Sequence, residues 1–252
     1  MKKSDEKMKI KNKRFISLIL SVSLPLSFAS CTVLDKTLKT TKEDTSVCNY
    51  DDETTNFETT TKEETPFYVD DENICVTTNV NLRDDYNLNS EVITVIDEYD
   101  KLKRIKTNDE WDYVYYEGNY GYVSSKYVEE LGDNFVEVDI SDQNLYLYVD
   151  DELILTADVV TGKKDKYDTR IGCHSIYSKE KERYLKGDGY KVYVNYWLPF
   201  DKGQGLHDAS WRTSFNKDDY LNGSHGCVNM KKEDVKVVYD NVSVGTKVLV
   251  HK

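Results

Sequence analysis

Short alternating segments separated by turn residues run through most of this chain and leave little room for helices. From Asn73 onward, apolar and polar side chains alternate in pieces such as "WDYVYYEGNYGYV" and "NLYLYV". A period of two places one face of each piece against a core, which is typical of half-buried strands. Residues 231–241 are an exception, because Val235, Val238 and Tyr239 recur at helical spacing. We therefore expect a mostly β protein with one or two short helices.

The first 31 residues have the pattern of an export signal. The basic run "KMKIKNKR" precedes the uncharged stretch "FISLILSVSLPLSFAS", and Cys31 follows. A basic region, an apolar core and small residues before a cleavage site are typical of a secretory signal. The apolar run is shorter than a bilayer span, so a transmembrane anchor is only an alternative. "SFAS" before Cys31 resembles a bacterial lipobox, which implies a signal peptide over 1–31, lipidation of Cys31 and an extracytoplasmic protein anchored in the membrane. Ordinary signal cleavage beside an incidental Cys is the other alternative.

Residues 32–70 are predicted to be a disordered tether. They are rich in Thr, Lys, Asp and Glu and poor in apolar side chains, so they cannot bury enough surface to offset their ordering entropy. The net charge of the whole chain is −12. Such an acidic balance argues against a nucleic-acid partner.

Residues 71–131 form the first predicted globular unit. Its strand-like pieces are separated by turn sequences such as "RDDYNLNS", "KTND" and "EGNYG". "NVNLRDDYNLNSEVITVI" and "EWDYVYYEGNYGYVSSKYV" resemble a bacterial SH3-type domain. The resemblance implies a small SH3-like barrel that helps an exported enzyme contact cell-wall glycan. The many Tyr side chains fit stacking on sugars, and they fit equally well the packing of a small barrel.

Residues 134–251 form the second unit, and it contains "NGSHGCVNM" around Cys227. An exported Cys is often half of a disulfide. A nucleophilic thiol needs a nearby base, for which His225 and His207 are candidates. A zinc site would need more ligands at regular spacing, and His225-x-Cys227 alone is a poor signal. The residue types leave the nucleophile, disulfide and metal interpretations open.

A longer resemblance covers nearly all of the second unit. "VVTGKKDKYDTRIG", "YVNYWLPF", "GQGLHDASWR", "NGSHGCVNM" and "SVGTKVLV" resemble the L,D-transpeptidase catalytic domain of the YkuD-like family. The motif is a His followed at a distance by Ser-His-Gly-Cys-x-Asn, and here sixteen residues separate His207 from Ser224. The resemblance implies a β-sandwich fold in which Cys227 is the nucleophile.

The resemblance also implies roles for the neighbouring residues. His207 would be the base that takes the thiol proton, and the backbone carbonyl of Asp208 would orient its imidazole. Backbone N–H groups near Gly226 would hold the oxyanion. The implied catalytic set is Cys227, His207, His225, Gly226 and Asp208. The implied substrate-binding set is Ser224, Asn229, Arg212 and Trp197.

The implied reaction is acyl transfer on peptidoglycan stem peptides. Cys227 would attack the bond between an L- and a D-residue of a tetrapeptide, release D-Ala, and pass the acyl group to an amine of a neighbouring stem as a 3→3 cross-link. Water as acceptor would give L,D-carboxypeptidase activity, and a catalytically inactive wall-binding protein is a further alternative. No metal and no cofactor is expected, since a phosphate-binding Gly-rich loop is absent from the sequence.

One strand departs from the family pattern. Over Thr169–Ile176, Arg170 stands where Pro is common, His174 replaces an aromatic residue, and Cys173 is extra. We expect His174 to be a structural residue with its hydrogen bonds satisfied. An unexpected thiol also suggests a disulfide between Cys173 and Cys227.

Overall fold

The structure is a computed structural model that describes residues 65–187 and 189–252. The predicted signal peptide (1–31), the predicted lipidation site Cys31 and most of the predicted tether lie outside the described residues. Within the described part, no helix is both long enough and apolar enough to cross a membrane.

An antiparallel sheet of seven strands forms the N-terminal domain. The strands are β1 (Tyr68–Val76), β2 (Val80–Arg83), β3 (Val92–Ile96), β4 (Lys101–Thr107), β5 (Trp111–Tyr116), β6 (Asn119–Ser124) and β7 (Val128–Glu130). Their order in the sheet is β3-β2-β6-β5-β4-β1-β7. Alternate side chains point into one core, which includes Ile74, Leu82, Ile96, Val114 and Val123.

The first strand begins earlier than the sequence predicts. Tyr68 pairs with Thr107 of β4, and the Tyr68 hydroxyl donates a hydrogen bond of 2.7 Å to Asp109. The segment from Tyr68 to Asp70 was predicted as tether because it is polar and borders an acidic run. Ladder pairing with β4 orders it, so the predicted boundary at residue 70 was wrong.

The second domain contains two sheets. The five-stranded sheet consists of β8 (Phe135–Asp139), β9 (Asn144–Val149), β10 (Glu152–Asp158), β11 (Gly172–Ser175) and β16 (Lys247–His251), in the order β10-β9-β8-β16-β11. The four-stranded sheet consists of β12 (Glu180–Gly187), β13 (Tyr190–Asp201), β14 (Gln204–Asp208) and β15 (Val228–Met230), in sequence order. Two neighbouring pairs run parallel, β8 with β16 and β14 with β15.

The two sheets share one core with a single α-helix of the described residues, α1 (Lys232–Asn241). Val235 and Val238 of α1 are fully buried in that core, where side chains of both sheets meet. Short 3₁₀ segments occur at Ser125–Tyr127 and Lys217–Asn222. The expected mostly β fold, with a sandwich and one or two short helices, is confirmed.

Tight turns connect the predicted hairpins. Glu117 and Gly118 have φ values of 45° and 84°, and Asp150 and Asp151 have φ values of 51° and 63°. Two successive positive φ values are typical of the type I′ turn, whose twist matches that of the flanking strands. These turns join β5 to β6 and β9 to β10.

Charged groups connect the two domains. Lys101 of β4 forms an ion pair with Glu137 of β8, and His251 of β16 contacts the other Glu137 carboxylate oxygen at 3.0 Å. Lys247 forms a second interdomain ion pair with Glu129 of β7. Burial lowers the pKa of His251, but the hydrogen bond and negative charge of Glu137 outweigh it, and the net pKa is raised.

Candidate active site

A turn closed by two hydrogen bonds of Ser224 positions Cys227 immediately before β15. Ser224 donates from its hydroxyl to the Cys227 carbonyl at 2.6 Å and accepts from the Gly226 N–H at 3.0 Å. Gly226 has a φ of 108°, and a Cβ there would lie 2.2 Å from Nε2 of Gln204. Only glycine fits both the backbone conformation and the space. The turn therefore holds the cysteine in one orientation.

Parallel pairing brings His207 beside this turn. Leu206 of β14 is in register with Val228 of β15, and His207 is in register with Asn229. Cys227 directly precedes β15, and its thiol lies 3.8 Å from the carbonyl oxygen of Gly203, in the turn before β14. Both side chains line one cavity of about 560 Å³.

The imidazole of His207 is buried and oriented by its own strand. Its exposed fraction is 3%, and Nδ1 lies 2.9 Å from the carbonyl oxygen of Asp208. Because a carbonyl only accepts hydrogen bonds, Nδ1 carries the proton and Nε2 is left as an acceptor. Burial lowers the pKa of His207 below its usual value. The resting ring is therefore a neutral base.

The Asp208 carboxylate has a second role, which the sequence did not indicate. It is fully buried and accepts three hydrogen bonds. The donors are the backbone N–H of Asn195 at 2.7 Å, the Asn195 side-chain amide at 2.7 Å and the N–H of Tyr196 at 2.9 Å. These hydrogen bonds hold β13 against Asp208, whose backbone carbonyl orients the His207 ring.

The Cys227 thiol rests in its protonated form. Burial raises its pKa to about 11, and a hydrogen bond from the Gly205 backbone lowers it only in part. Many reactive cysteines instead have a lowered pKa. The thiol and the imidazole are therefore both uncharged near neutral pH, and the thiol must lose its proton to act as a nucleophile.

Two tyrosines enclose His225. Its ring lies 4.4 Å from the Tyr167 ring and 4.9 Å from the Tyr190 ring, centroid to centroid. Tyr190 and His225 both line the cavity. His225 therefore lines the cavity between the two tyrosines. The ring that is buried and oriented as a base requires is that of His207. Neither tyrosine was predicted as a site residue, since both lie far from the motif along the chain.

Asn229 and Arg212 line the cavity with unused hydrogen-bonding capacity. Asn229 is buried, and its side-chain oxygen has no hydrogen-bond partner within the described part of the chain. Arg212 donates from Nη2 to the Asn222 carbonyl at 2.7 Å, while its Nε is buried without a partner. Burial also lowers the pKa of Arg212. Ser224 lines the cavity as well, although its hydroxyl is committed to the turn.

Trp197 does not fit its predicted place in the substrate-binding set. It pairs with His207 across the β13–β14 ladder, is only 5% exposed, and packs beside Cys227 with Leu185 and Val194. Its ring lies 5.8 Å from the His207 ring, so the indole packs against the imidazole. Trp211 is 46% exposed, lines the cavity and lies 5.8 Å from the His207 ring. The sequence feature that could have identified Trp211 as a site residue is its position four residues after His207.

The expected partner of Cys173 is also wrong. Cys173 packs in a cluster with Cys75, Phe135 and Leu249, whereas Cys227 packs with Val192 and its neighbours. Cys173 lies on β11, at the edge of the other sheet, and that position keeps it away from Cys227. Cys75, Cys173 and Cys227 are free thiols.

His174 and Arg170 have structural partners. His174 Nε2 lies 2.9 Å from the Arg170 carbonyl oxygen, and its ring lies 5.4 Å from the Phe200 ring. Arg170 forms an ion pair with Asp201. No group of three or more His, Cys, Asp or Glu side chains among the described residues could hold a metal ion.

Two family models match this chain. Residues 133–250 match the family model of the L,D-transpeptidase catalytic domain, and residues 78–129 match that of a bacterial SH3 domain. The catalytic domain of the Enterococcus faecium L,D-transpeptidase acylated by ertapenem is 37% identical. The match covers 47% of this chain and 97% of that domain, with a TM-score of 0.44. Residues 133–250 are thus an L,D-transpeptidase catalytic domain.

Two other L,D-transpeptidases match over smaller shares of their own length. A cysteine-to-serine variant of the Enterococcus faecium enzyme is 35% identical over 48% of this chain and 50% of its own, with a TM-score of 0.46. The probable L,D-transpeptidase 3 of Mycobacterium tuberculosis is 27% identical over 100 residues, which are 35% of this chain and 36% of that protein. The chain thus spans about a third of this curated relative. The predicted order of an SH3-type domain before an L,D-transpeptidase domain is confirmed.

Proposed function

We propose that this protein is a peptidoglycan L,D-transpeptidase in which Cys227 and His207 perform the acyl transfer. The observation that carries the proposal is the pairing of a cavity-lining thiol with a buried, neutral imidazole whose Nε2 is unprotonated. Family membership supplies the substrate class. The acidic balance of the chain, −12 overall, suits a substrate that offers cationic amines.

The first half-reaction forms a thioester. The Cys227 Sγ–H proton passes to Nε2 of His207 as sulfur attacks the carbonyl carbon between the L- and D-residues of the donor stem. The C–N bond then breaks, and the departing D-Ala amine takes the proton from His207. The Gly226 N–H already donates to Ser224. We therefore assign the developing oxyanion to the Cys227 N–H.

The second half-reaction releases the enzyme. An amine of a neighbouring stem attacks the thioester and gives its proton to His207, which returns it to the departing Cys227 thiolate. To Asn229 Oδ1, a buried acceptor in the cavity without a partner among the described residues, we assign an amide N–H of the stem. To Arg212, whose Nε likewise has no partner there, we assign a carboxylate of the stem.

Mass spectrometry of muropeptides tests the proposal. Purified protein incubated with disaccharide-tetrapeptides should produce a dimer whose mass equals two donors minus one D-Ala. A tripeptide product without dimer would instead identify a carboxypeptidase. Cys227→Ala should lose all product. Cys173→Ala, at a thiol remote from the cavity, is the matched control and should retain it.

Carbapenem labelling tests the nucleophile independently of the acceptor. Ertapenem should add its mass to the wild-type protein, and peptide mapping should place the adduct on Cys227. The variant Cys227→Ala should show no adduct, and an adduct on another cysteine would contradict the assignment.

The SH3-like domain offers an aromatic surface for cell-wall glycan. Tyr115 and Tyr120 are exposed, and their rings lie 5.0 Å apart. Adjacent exposed rings can stack on sugar faces. A double variant, Tyr115→Ala with Tyr120→Ala, should reduce sedimentation with purified peptidoglycan while leaving carbapenem labelling intact. Unchanged sedimentation would contradict glycan binding by this surface.

Lipid anchoring at Cys31 is part of the same proposal and rests on the sequence around that residue. Metabolic labelling with a palmitate analogue in the producing cell should mark the wild-type protein. The variant Cys31→Ala should remain unlabelled and should appear in the medium.

A further inference from the structure

Two thiols from different domains meet at the interface between the SH3-like domain and the catalytic domain. Cys75 of β1 is fully buried, and Cys173 of β11 is partly buried in the same apolar cluster, which also contains Leu131, Phe135 and Leu249. Cys173 packs against the cluster that contains Cys75, and the proximity of its thiol raises the pKa of Cys75. Each thiol is therefore the other's direct neighbour.

Strand pairing holds both backbones in place. Cys75 lies opposite Lys101 of β4 on one side and opposite Glu129 of β7 on the other. Cys173 lies opposite Leu249 of β16. A disulfide needs Cβ atoms about 3.5–4.5 Å apart. The two side chains pack in one cluster on strands that are held by pairing, so rotation about χ1 is the movement that brings the two sulfur atoms together.

We propose that Cys75 and Cys173 form a disulfide that covalently joins the SH3-like domain to the catalytic domain. The proposal does not depend on the enzymatic activity. It agrees with the expected extracytoplasmic location, where disulfides persist. It also leaves the nucleophile available, since Cys227 packs in a different cluster.

The bond forms by exchange with an external disulfide, either a small molecule or a thiol oxidoreductase. Cys173 is the accessible partner, so its thiolate attacks the oxidant, forms a mixed disulfide and releases one reduced thiol. The Cys75 thiolate then attacks the Cys173 sulfur and releases the second. The two protein thiols lose their protons, and the oxidant gains two electrons and two protons. Contact with Cys173 and burial raise the pKa of the reduced Cys75 thiol, and the nearby Lys247 ammonium, which is paired with Glu129, opposes them only in part.

The cross-link would close a long loop that contains most of the SH3-like domain and the first hairpin of the catalytic domain. Closing a long loop restricts the unfolded chain strongly. Oxidised protein should therefore unfold about 5–10 °C above the reduced protein. Hydrogen exchange of the backbone amides should slow as well in β7, which pairs with the strand of Cys75, and in β11, which contains Cys173.

Peptide mapping of the full chain tests the bond directly. The wild-type protein is incubated with oxidised glutathione, its free thiols are alkylated, and it is digested without reduction. The digest should contain a cross-linked peptide pair with Cys75 and Cys173, and Cys227 should be recovered alkylated. Reduction before alkylation should abolish the pair.

Thermal unfolding supplies the second measurement. The melting temperature of wild type should fall on reduction, and that of Cys173→Ala should not change between the two conditions. Cys75→Ala, which removes the buried partner, should likewise lack a redox response. The proposal is overturned if oxidised wild type yields both cysteines alkylated, if either pairs with another cysteine, or if oxidation leaves the wild-type melting temperature unchanged. Because the mapping uses wild type, its outcome does not depend on whether either variant folds well.

Discussion

Replacing Asp208 by Asn should separate the two roles of this residue. The backbone carbonyl next to His207 is retained, but the buried carboxylate becomes neutral. Three hydrogen bonds of 2.7–2.9 Å from Asn195 and Tyr196 then lose their charge assistance. Asn195 can restore the side-chain bond by turning its amide, so the geometry survives and mainly the charge is lost.

The magnitude follows from that count of bonds. Charge-assisted hydrogen bonds contribute roughly twice as much as neutral ones, a difference of about 1 kcal/mol each. Asp208→Asn should therefore lower the free energy of unfolding by about 2–3 kcal/mol. Looser attachment of β13 to β14 should also misplace the His207 ring and lower kcat about 10- to 100-fold, with little change in KM.

Denaturant unfolding and steady-state turnover, measured on the same preparation, check both expectations. Asp158→Asn is the matched control, because that side chain is 64% exposed and lies 3.9 Å from its Lys231 partner. Equal stability of Asp208→Asn and wild type would refute the energetic reasoning. A loss of stability with unchanged kcat would refute the positioning role of the carboxylate.

Three further predictions concern the nucleophile turn and the domain interface. Gly226→Ala should lower activity about 100-fold and reduce carbapenem labelling, because its Cβ meets Gln204 and its φ is positive; normal labelling would contradict this. Alkylation of Cys227 by iodoacetamide should accelerate up to a pH near its pKa of about 11, and a plateau near neutral pH would argue against a protonated resting thiol. The raised pKa of His251 beside Glu137 means that its contribution to stability is present below its unfolded pKa and is lost as pH rises through the folded pKa. The stability difference between wild type and His251→Gln, measured by denaturant unfolding, should shrink as the pH rises from about 6 to 9. A constant difference would contradict that linkage.

Local sequence pattern was sufficient to predict the strands and turns of this fold in outline. Alternation in "NLYLYV" predicted β9, and the acidic pair at Asp150 and Asp151 predicted its turn, because a two-residue turn and a period of two are properties of neighbouring residues. The start of β1 at Tyr68 was missed because its pairing partner, Thr107, lies on another strand. No local pattern reports such a partner.

The candidate site likewise contains residues that the local sequence predicted and residues that it did not. The order of Ser224, His225, Gly226 and Cys227 pointed to a nucleophile turn, since the hydrogen bonds that staple it join residues two or three positions apart. Trp197 was misplaced because its distance from His207 along the chain says nothing of which face of β13 it occupies. Tyr167 and Tyr190 were missed because they reach His225 from separate segments.

The sequence alone determined the strand-rich architecture, the order of the two domains and the motif that contains Cys227. These depend on residue type and short spacing. Only the tertiary structure decided which histidine has a buried, oriented ring, which tryptophan faces the cavity, and that Cys173 meets Cys75 instead of Cys227. Such contacts join residues far apart in the chain, and their partners are set by strand order and register across the sheets.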